Sequence, residues 1–248
     1  MKNIKIAVNG TQASGKGTQS YILSITTGMP VVSIGDLLRE LQDEDSDRGR
    51  SVKSNMMKGA FPPDEIILPL LKEWLAKHPK GWIIDGFPRT MQQALGSADF
   101  FKPDAALFLE LPDEESKRRI SYRRICSKCK TNYNLITFPP RNAQGVCDKC
   151  GGALIQRADD QPDLVVERLR HYHEATEPVK DFFRKKDILA EIDARPGIRE
   201  VAAEIERRLE QLRGRRKTSR RAVYWYVAIA LTLVVCAAGL TIIGLLVG

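Results

Sequence analysis

The chain has 248 residues, 43% of them hydrophobic and 28% charged. That profile is globular, excludes a disordered chain, and leaves room for one domain with an appendage. The net charge of +8 points to nucleic acid until it is located: Arg213, Arg215, Arg216, Lys217, Arg220 and Arg221 share one acid-free segment, no charge follows them, and residues 1–212 keep only +2. A nucleic-acid-coating surface thereby loses its main support.

Taken in chain order, the apolar runs predict strands at Ile4–Asn9, Val31–Ser33, Trp82–Asp85, Ala105–Leu111 and Ile188–Asp193. Between them, helical patterns are predicted at Leu37–Arg50, Glu65–Lys77, Asp113–Arg124 and Leu164–Lys185. Five strands separated by helices imply an α/β fold, a parallel five-stranded sheet with helices on both faces. Ligands of such sheets sit beyond the carboxyl ends of the strands. The stretch Ile125–Arg157 breaks the rhythm with prolines 139 and 140 and glycines 145, 151 and 152, and reads as an insertion with its own fold.

The last segment, Ala222–Gly248, is 27 residues without a charge. As a helix it would span about 40 Å, enough for a hydrocarbon core of about 30 Å. A buried helix would need some polar face, and the run offers only Thr232 and Thr241, so a transmembrane helix is expected at 222–248. Tyr224, Trp225 and Tyr226 suit a membrane interface, and the basic linker 213–221 places the preceding domain on the cytoplasmic side. Met1–Asn9 passes directly into a strand and a loop, with no pattern of a signal peptide. The expected localisation is therefore a cytoplasmic domain on a C-terminal anchor.

Of the five cysteines, Cys236 lies inside the apolar run as a small apolar residue. Cys126-x2-Cys129 and Cys147-x2-Cys150 are separated by 17 residues, a spacing that in a cytoplasmic domain reads as a metal site and not as disulfides. Four thiolates would close a tetrahedral zinc site, which is structural and not catalytic. Iron would also fit these ligands. The metal would stand in for the core that so small a lobe cannot build alone.

The first strand runs into Gly10-Thr11-Gln12-Ala13-Ser14-Gly15-Lys16-Gly17-Thr18. This is the glycine and lysine spacing of a phosphate-binding loop, with Gly17 inserted before the threonine. Glycines let backbone N–H groups turn toward phosphate oxygens, and the following helix offers its positive end. Lys16 would meet the β- and γ-phosphates. A glycine-rich turn can also simply join a strand to a helix, but here strand, loop, lysine and helix all stand in order. Trp82-Ile83-Ile84-Asp85 ends a second apolar strand in a carboxylate; beside a phosphate loop such an aspartate orients magnesium, often through water. His171 and His173 diverge on a predicted helix and do not suggest a shared metal.

Together Gly15-Lys16-Gly17-Thr18, Gly35-Asp36-Leu37-Leu38-Arg39, Asp85-Gly86-Phe87-Pro88-Arg89-Thr90 and Arg157-Ala158-Asp159-Asp160 resemble adenylate kinases, nucleoside monophosphate kinases, in the long form with a zinc-holding lid. The resemblance covers about residues 1–212 and implies a monophosphate-binding region at 33–64 and a lid at 123–160. It implies reversible transfer of the ATP γ-phosphoryl group to AMP with magnesium, a structural zinc, and a monomeric kinase domain. By similarity, Gly10, Ser14, Gly15, Lys16, Gly17 and Thr18 hold ATP phosphates. Arg39, Gly86 and Arg89 would surround the AMP phosphate and Gln93 would read adenine. Arg119, Arg123, Arg157 and Arg168 would close on the phosphates as planar, permanently charged forks, while Arg118 and Arg124 read as solvated.

Two departures stand out. The family loop reads Gly-x-Pro-Gly where this one has Gly10-Thr11-Gln12-Ala13, so Ala13 must take a backbone geometry that glycine usually supplies. Ile34 replaces a threonine near the AMP base, removing a hydroxyl. A kinase for another nucleoside monophosphate and a catalytically weak membrane adaptor therefore stay open as alternatives. A zinc-ribbon nucleic-acid binder is disfavoured by the charge distribution.

Overall fold

The computed structural model describes residues 3–215. A compact unit covers Met1–Ile205, and a second begins at Glu206. The expected transmembrane helix at 222–248 lies outside the described residues, among which no helix is long and apolar enough to cross a membrane.

The principal sheet is parallel and five-stranded, built from β1 (Lys5–Gly10), β2 (Val31–Ser33), β3 (Trp82–Asp85), β4 (Ala105–Glu110) and, last in the chain, β8 (Leu189–Asp193), in the order β2-β3-β1-β4-β8. The central strands are apolar almost throughout because helices cover both faces. Ala7, Ile84 and Phe108 face one way, into a core with Leu71, Phe87 and Phe183; Ile6, Val8, Ile83, Leu107 and Leu109 are equally buried. The chain goes from β1 to one side for β2 and β3, then to the other for β4. A crevice therefore opens at the carboxyl end of β1, where ligands of open α/β sheets bind.

The helices are α1 (Lys16–Thr27), α2 (Ile34–Leu41), α3 (Asp47–Met57), α4 (Asp64–Ala76), α5 (Met91–Gly96), α6 (Asp113–Ser121), α7 (Pro162–His171) and α8 (Val179–Arg184), and a ninth spans residues 198–215. Three predicted helices are corrected. The one expected at Leu37–Arg50 is two, because Ser46 caps α3 through the N–H of Gly49 at 3.0 Å. The corner is tight: a Cβ on Gly49 would lie 2.4 Å from the Glu44 carbonyl oxygen. Asp113–Arg124 ends at Ser121, since Arg123 already belongs to a strand. Leu164–Lys185 is broken into α7, a π-helical turn at Tyr172–Thr176, and α8 behind Pro178.

The expected insertion is a second, antiparallel sheet of β5 (Arg123–Cys126), β6 (Asn132–Asn134) and β7 (Leu154–Ile155), in the order β6-β5-β7. Its buried core is only Cys126, Tyr133 and Cys147, with Cys129 and Leu154 packed on it. It is too small to hold a fold by burial alone.

Candidate active site

Gly10 ends β1 hard against β4. A Cβ there would stand 2.1 Å from the Leu109 carbonyl oxygen, and its φ is 135°, so only glycine lets the loop start where it does. The loop then delivers its chain to α1 with Gly15 as N-cap. Lys16, at the first helical position, turns its Nζ back to donate to the carbonyl oxygens of Gly10 and Thr11, at 2.8 and 2.7 Å. Burial pushes this amine down to about 8, with Arg89, Arg168 and Arg123 adding to the effect and Asp85 opposing it. Asp85, at the end of β3, is buried beside the loop, and burial raises its pKa despite Lys16 and Arg89. Its Oδ2 faces Gly17.

Arg89 follows β3 on the Gly86-Phe87-Pro88 turn, whose Phe87–Pro88 bond is cis. Asn9 holds that turn by donating to the Pro88 carbonyl at 3.0 Å. The Arg89 Nε donates to the Gly86 carbonyl at 2.9 Å, Thr176 donates to the Arg89 carbonyl at 2.8 Å, and the guanidinium lies 5.4 Å from the Phe61 ring centre. Burial, then Arg168, bring its pKa down to about 10. Gln93 is buried in α5; it accepts from the Arg89 N–H at 2.8 Å and donates to Asp64 at 2.8 Å. Its first visible task is to hold the Arg89 backbone against α4. Ile34 opens α2 with its side chain in the large core beside Val32 and Leu38.

Opposite these stand Asp159 and Asp160, in a 3-10 turn ahead of α7. Arg123 grips the buried Asp160 with two hydrogen bonds, one of them 2.8 Å from Nε to Oδ2. Arg168 donates to the Asp159 carboxylate at 3.2 Å, and Arg39 reaches within 4.0 Å of it from α2. Arg157 donates to Asn132 at 2.8 Å; burial, Arg123 and Arg39 lower its pKa to about 10. Asp159 is held below the usual range: burial works against its charge, but Arg168, Arg39, Arg123 and Arg157 outweigh it.

Most of the expected residues thus converge. Arg119 stands apart, paired with Glu115 at 2.8 Å and the Arg195 carbonyl at 3.0 Å. Arg118 pairs with Glu115 on the exposed face of α6. Arg124 is on β5, donating to the carbonyls of Ser121 and Arg123. His171 and His173 take separate partners, Glu167 for the first, Asp113 and Glu177 for the second. Residues that the sequence reading left without a task include Asp64, Phe61 and Thr176. Only their proximity to the Arg89 segment reveals them, and no local pattern marks it.

The four thiols Cys126, Cys129, Cys147 and Cys150 place their sulfurs within 4.8 Å of one another. The Cys126–Cys150 and Cys129–Cys147 separations are 3.4 and 3.6 Å. A tetrahedral ion with bonds of about 2.3 Å sets its sulfurs about 3.8 Å apart, so the donor set fits zinc. A hydrogen bond from Thr131, at 3.1 Å, brings the Cys129 thiol down to about 6, toward the thiolate a metal needs.

Around the crevice, the partly buried Lys16, Arg39, Arg89, Arg123, Arg157 and Arg168 outnumber the buried Asp85 and Asp160 and the partly buried Asp159. Burying surplus cations is costly unless an anion arrives to share the space. With a phosphate loop in their midst, the site defines a phosphate-loop nucleotide-binding protein. The family model described as adenylate kinase matches residues 8–188. An adenylate kinase of Archaeoglobus fulgidus is 42% identical over 211 residues, 82% of this chain and 97% of that protein. Adenylate kinases of Caldicellulosiruptor bescii (39% identical, 75% of this chain and 89% of that protein) and Kosmotoga olearia (38%, 84% and 100%) are similar too. The chain belongs to the adenylate kinase family.

Proposed function

We propose that the chain catalyses reversible phosphoryl transfer from ATP to AMP, giving two ADP, at the cytoplasmic face of a membrane. The observation that carries the chemistry is the excess of partly buried cations around one phosphate loop at the carboxyl edge of the sheet. Phosphoryl transfer needs aligned, neutralised oxygens and excluded water more than a protein nucleophile. In this reading Lys16 leaves the Gly10 and Thr11 carbonyls for the β- and γ-phosphates, over N–H groups of Gly15, Gly17 and Thr18. Arg39 and Arg89 hold the AMP phosphate in line, with Gln93 and Asp64 setting the Arg89 backbone. Arg123 and Arg168 exchange part of their pairing with Asp159 and Asp160, and Arg157 its hydrogen bond to Asn132, for the transferring group. Magnesium bound with ATP supplies charge neutralisation between phosphates, and Asp85 is the carboxylate placed to hold its water shell. Zinc on the four cysteines supplies the rigidity that the antiparallel sheet lacks, making residues 123–160 a lid that moves as a body.

The membrane site rests on the sequence alone, on the uncharged run at 222–248 and the basic linker before it. Purified chain with zinc, magnesium and ATP should be offered AMP, GMP, CMP and UMP. Fast nucleoside diphosphate formation with AMP alone is the expected result. Broad or shifted acceptor use would assign Ile34 a change of specificity, and a folded, zinc-loaded chain without turnover would favour the nucleotide-binding adaptor.

A further inference from the structure

We propose that Gln12 is a positioning residue that fixes Arg168 over the phosphate loop, with Ala13 and Ser116 completing a latch between that loop and the two helices flanking the inserted sheet. Three contacts from different chemistries meet at two consecutive residues. The Gln12 side-chain amide donates to the backbone carbonyl of Arg168 at 3.1 Å, on α7. The fully buried Ser116 hydroxyl, on α6, donates to the Gln12 backbone carbonyl at 2.7 Å. The Ala13 methyl packs against Ile120 of α6 and Val165 and Leu169 of α7.

The backbone argues that this arrangement is enforced. Ala13 has φ of 55°, a left-handed conformation that costs a non-glycine residue about 1–2 kcal/mol. Such a conformation persists only where its surroundings over-determine it, and here the surroundings are the two flanking helices. The Arg168 carbonyl lies in the last turn of α7, where it already accepts from the Tyr172 N–H before the chain passes into its π turn. Carbonyls at helix ends have spare acceptor capacity, and the Gln12 amide uses it. Since a carbonyl can only accept, the amide nitrogen must face Arg168, which fixes the Gln12 orientation.

The consequence lies in leverage. The guanidinium of Arg168 is at the far end of a long side chain, bonded to Asp159 and 3.7 Å from Asp160. A small rotation of its backbone displaces that group by a large fraction of a hydrogen-bond length, and misplacement on that scale is expensive in rate. Gln12 ties this backbone to the loop whose N–H groups face the phosphates. The loop and the arginine that meets the transferring phosphoryl group are thereby held in one frame. The inference rests on the phosphoryl-transfer reading above.

A double-mutant cycle on the full, zinc-loaded chain tests it. Gln12→Met keeps the length of the side chain and removes the donor; Gln12→Asn keeps the amide and shortens its reach, and serves if Q12M does not fold. Each is expected to lower kcat about 10-fold with the KM for AMP unchanged, but by less than about twofold in an Arg168→Ala background, because the effect passes through Arg168. Equal losses in both backgrounds would make Gln12 merely structural and overturn the proposal, as would variants as fast as the parent. If the parent chain itself shows no turnover, the phosphoryl-transfer reading has failed; the same cycle is then read on ATP affinity by equilibrium titration, where non-additive losses support the latch and additive or absent losses overturn it.

Discussion

Lys16 carries the clearest conflict between stability and function at the scale of a single residue. Its amine is buried among arginines and held at about 8, below the ordinary 10.5. The group is charged in both folded and unfolded chains below pH 8. Between 8 and 10.5 the folded chain gives up its proton while the unfolded chain keeps it, so this residue makes stability rise with pH across that window. Activity should move the other way. The kcat/KM for ATP, which reports the free enzyme, is expected to fall as pH rises through about 8, while Arg89 and Arg157, at about 10, remain charged. Bound phosphates favour the charged amine, so kcat should persist to higher pH than kcat/KM; coincident limbs would separate Lys16 from ATP binding. Lys16→Met should lower kcat on the order of 10²–10³-fold, the scale of one lost donor at a developing charge, and near-normal turnover would remove Lys16 from the mechanism.

Elements carry the next set of constraints. The α2–α3 corner exists because Gly49 lies against the Glu44 and Leu41 carbonyls, at 2.4 and 2.7 Å from where a Cβ would sit. Gly49→Ala should destabilise the domain by about 1–3 kcal/mol through overpacking, visible as a lower Tm, and an unchanged Tm would place the corner's cause elsewhere. The inserted sheet has a different weakness, since two of the three residues of its buried core, Cys126 and Cys147 beside Tyr133, belong to the proposed metal site. Cys129→Ser should release the metal and lower the Tm, with residues 123–160 the first to exchange their amide hydrogens. Retained metal by elemental analysis would contradict the four-cysteine assignment.

On the scale of the whole molecule, the family match ends at residue 188 and the described structure at 215, whereas the basic and apolar segments occupy 213–248. Every residue assigned above to the catalytic site precedes residue 213. A chain ending at residue 212 should therefore be soluble and as active as the full chain, and only the full chain should float with lipid vesicles. A truncated, active chain that still floats would assign membrane binding to the kinase domain and not to the apolar run.

Features governed by nearest neighbours were legible in the amino-acid order. The three central strands announce themselves as apolar runs because both their faces are buried, and the edge strands β2 and β8 follow as part-buried runs beside them. The phosphate loop, Asp85 and the paired cysteines are likewise short patterns whose chemistry depends on spacing. Helix interruptions were not legible: Ser46 and Gly49 matter through a corner with α2, and the π turn at Tyr172–Thr176 has no local breaker before Pro178. Nor could local reading show that Arg119 reaches the Arg195 carbonyl, that Gln93 spans from Arg89 to Asp64, or that Gln12 reaches Arg168, 156 positions away. The strand pattern, the phosphate loop and the paired cysteines follow from residue order alone, because local residue chemistry suffices for them. Which arginines share one space and which carboxylates hold them is settled by the fold, because burial and Coulomb interactions act between groups that the chain brings together only by folding.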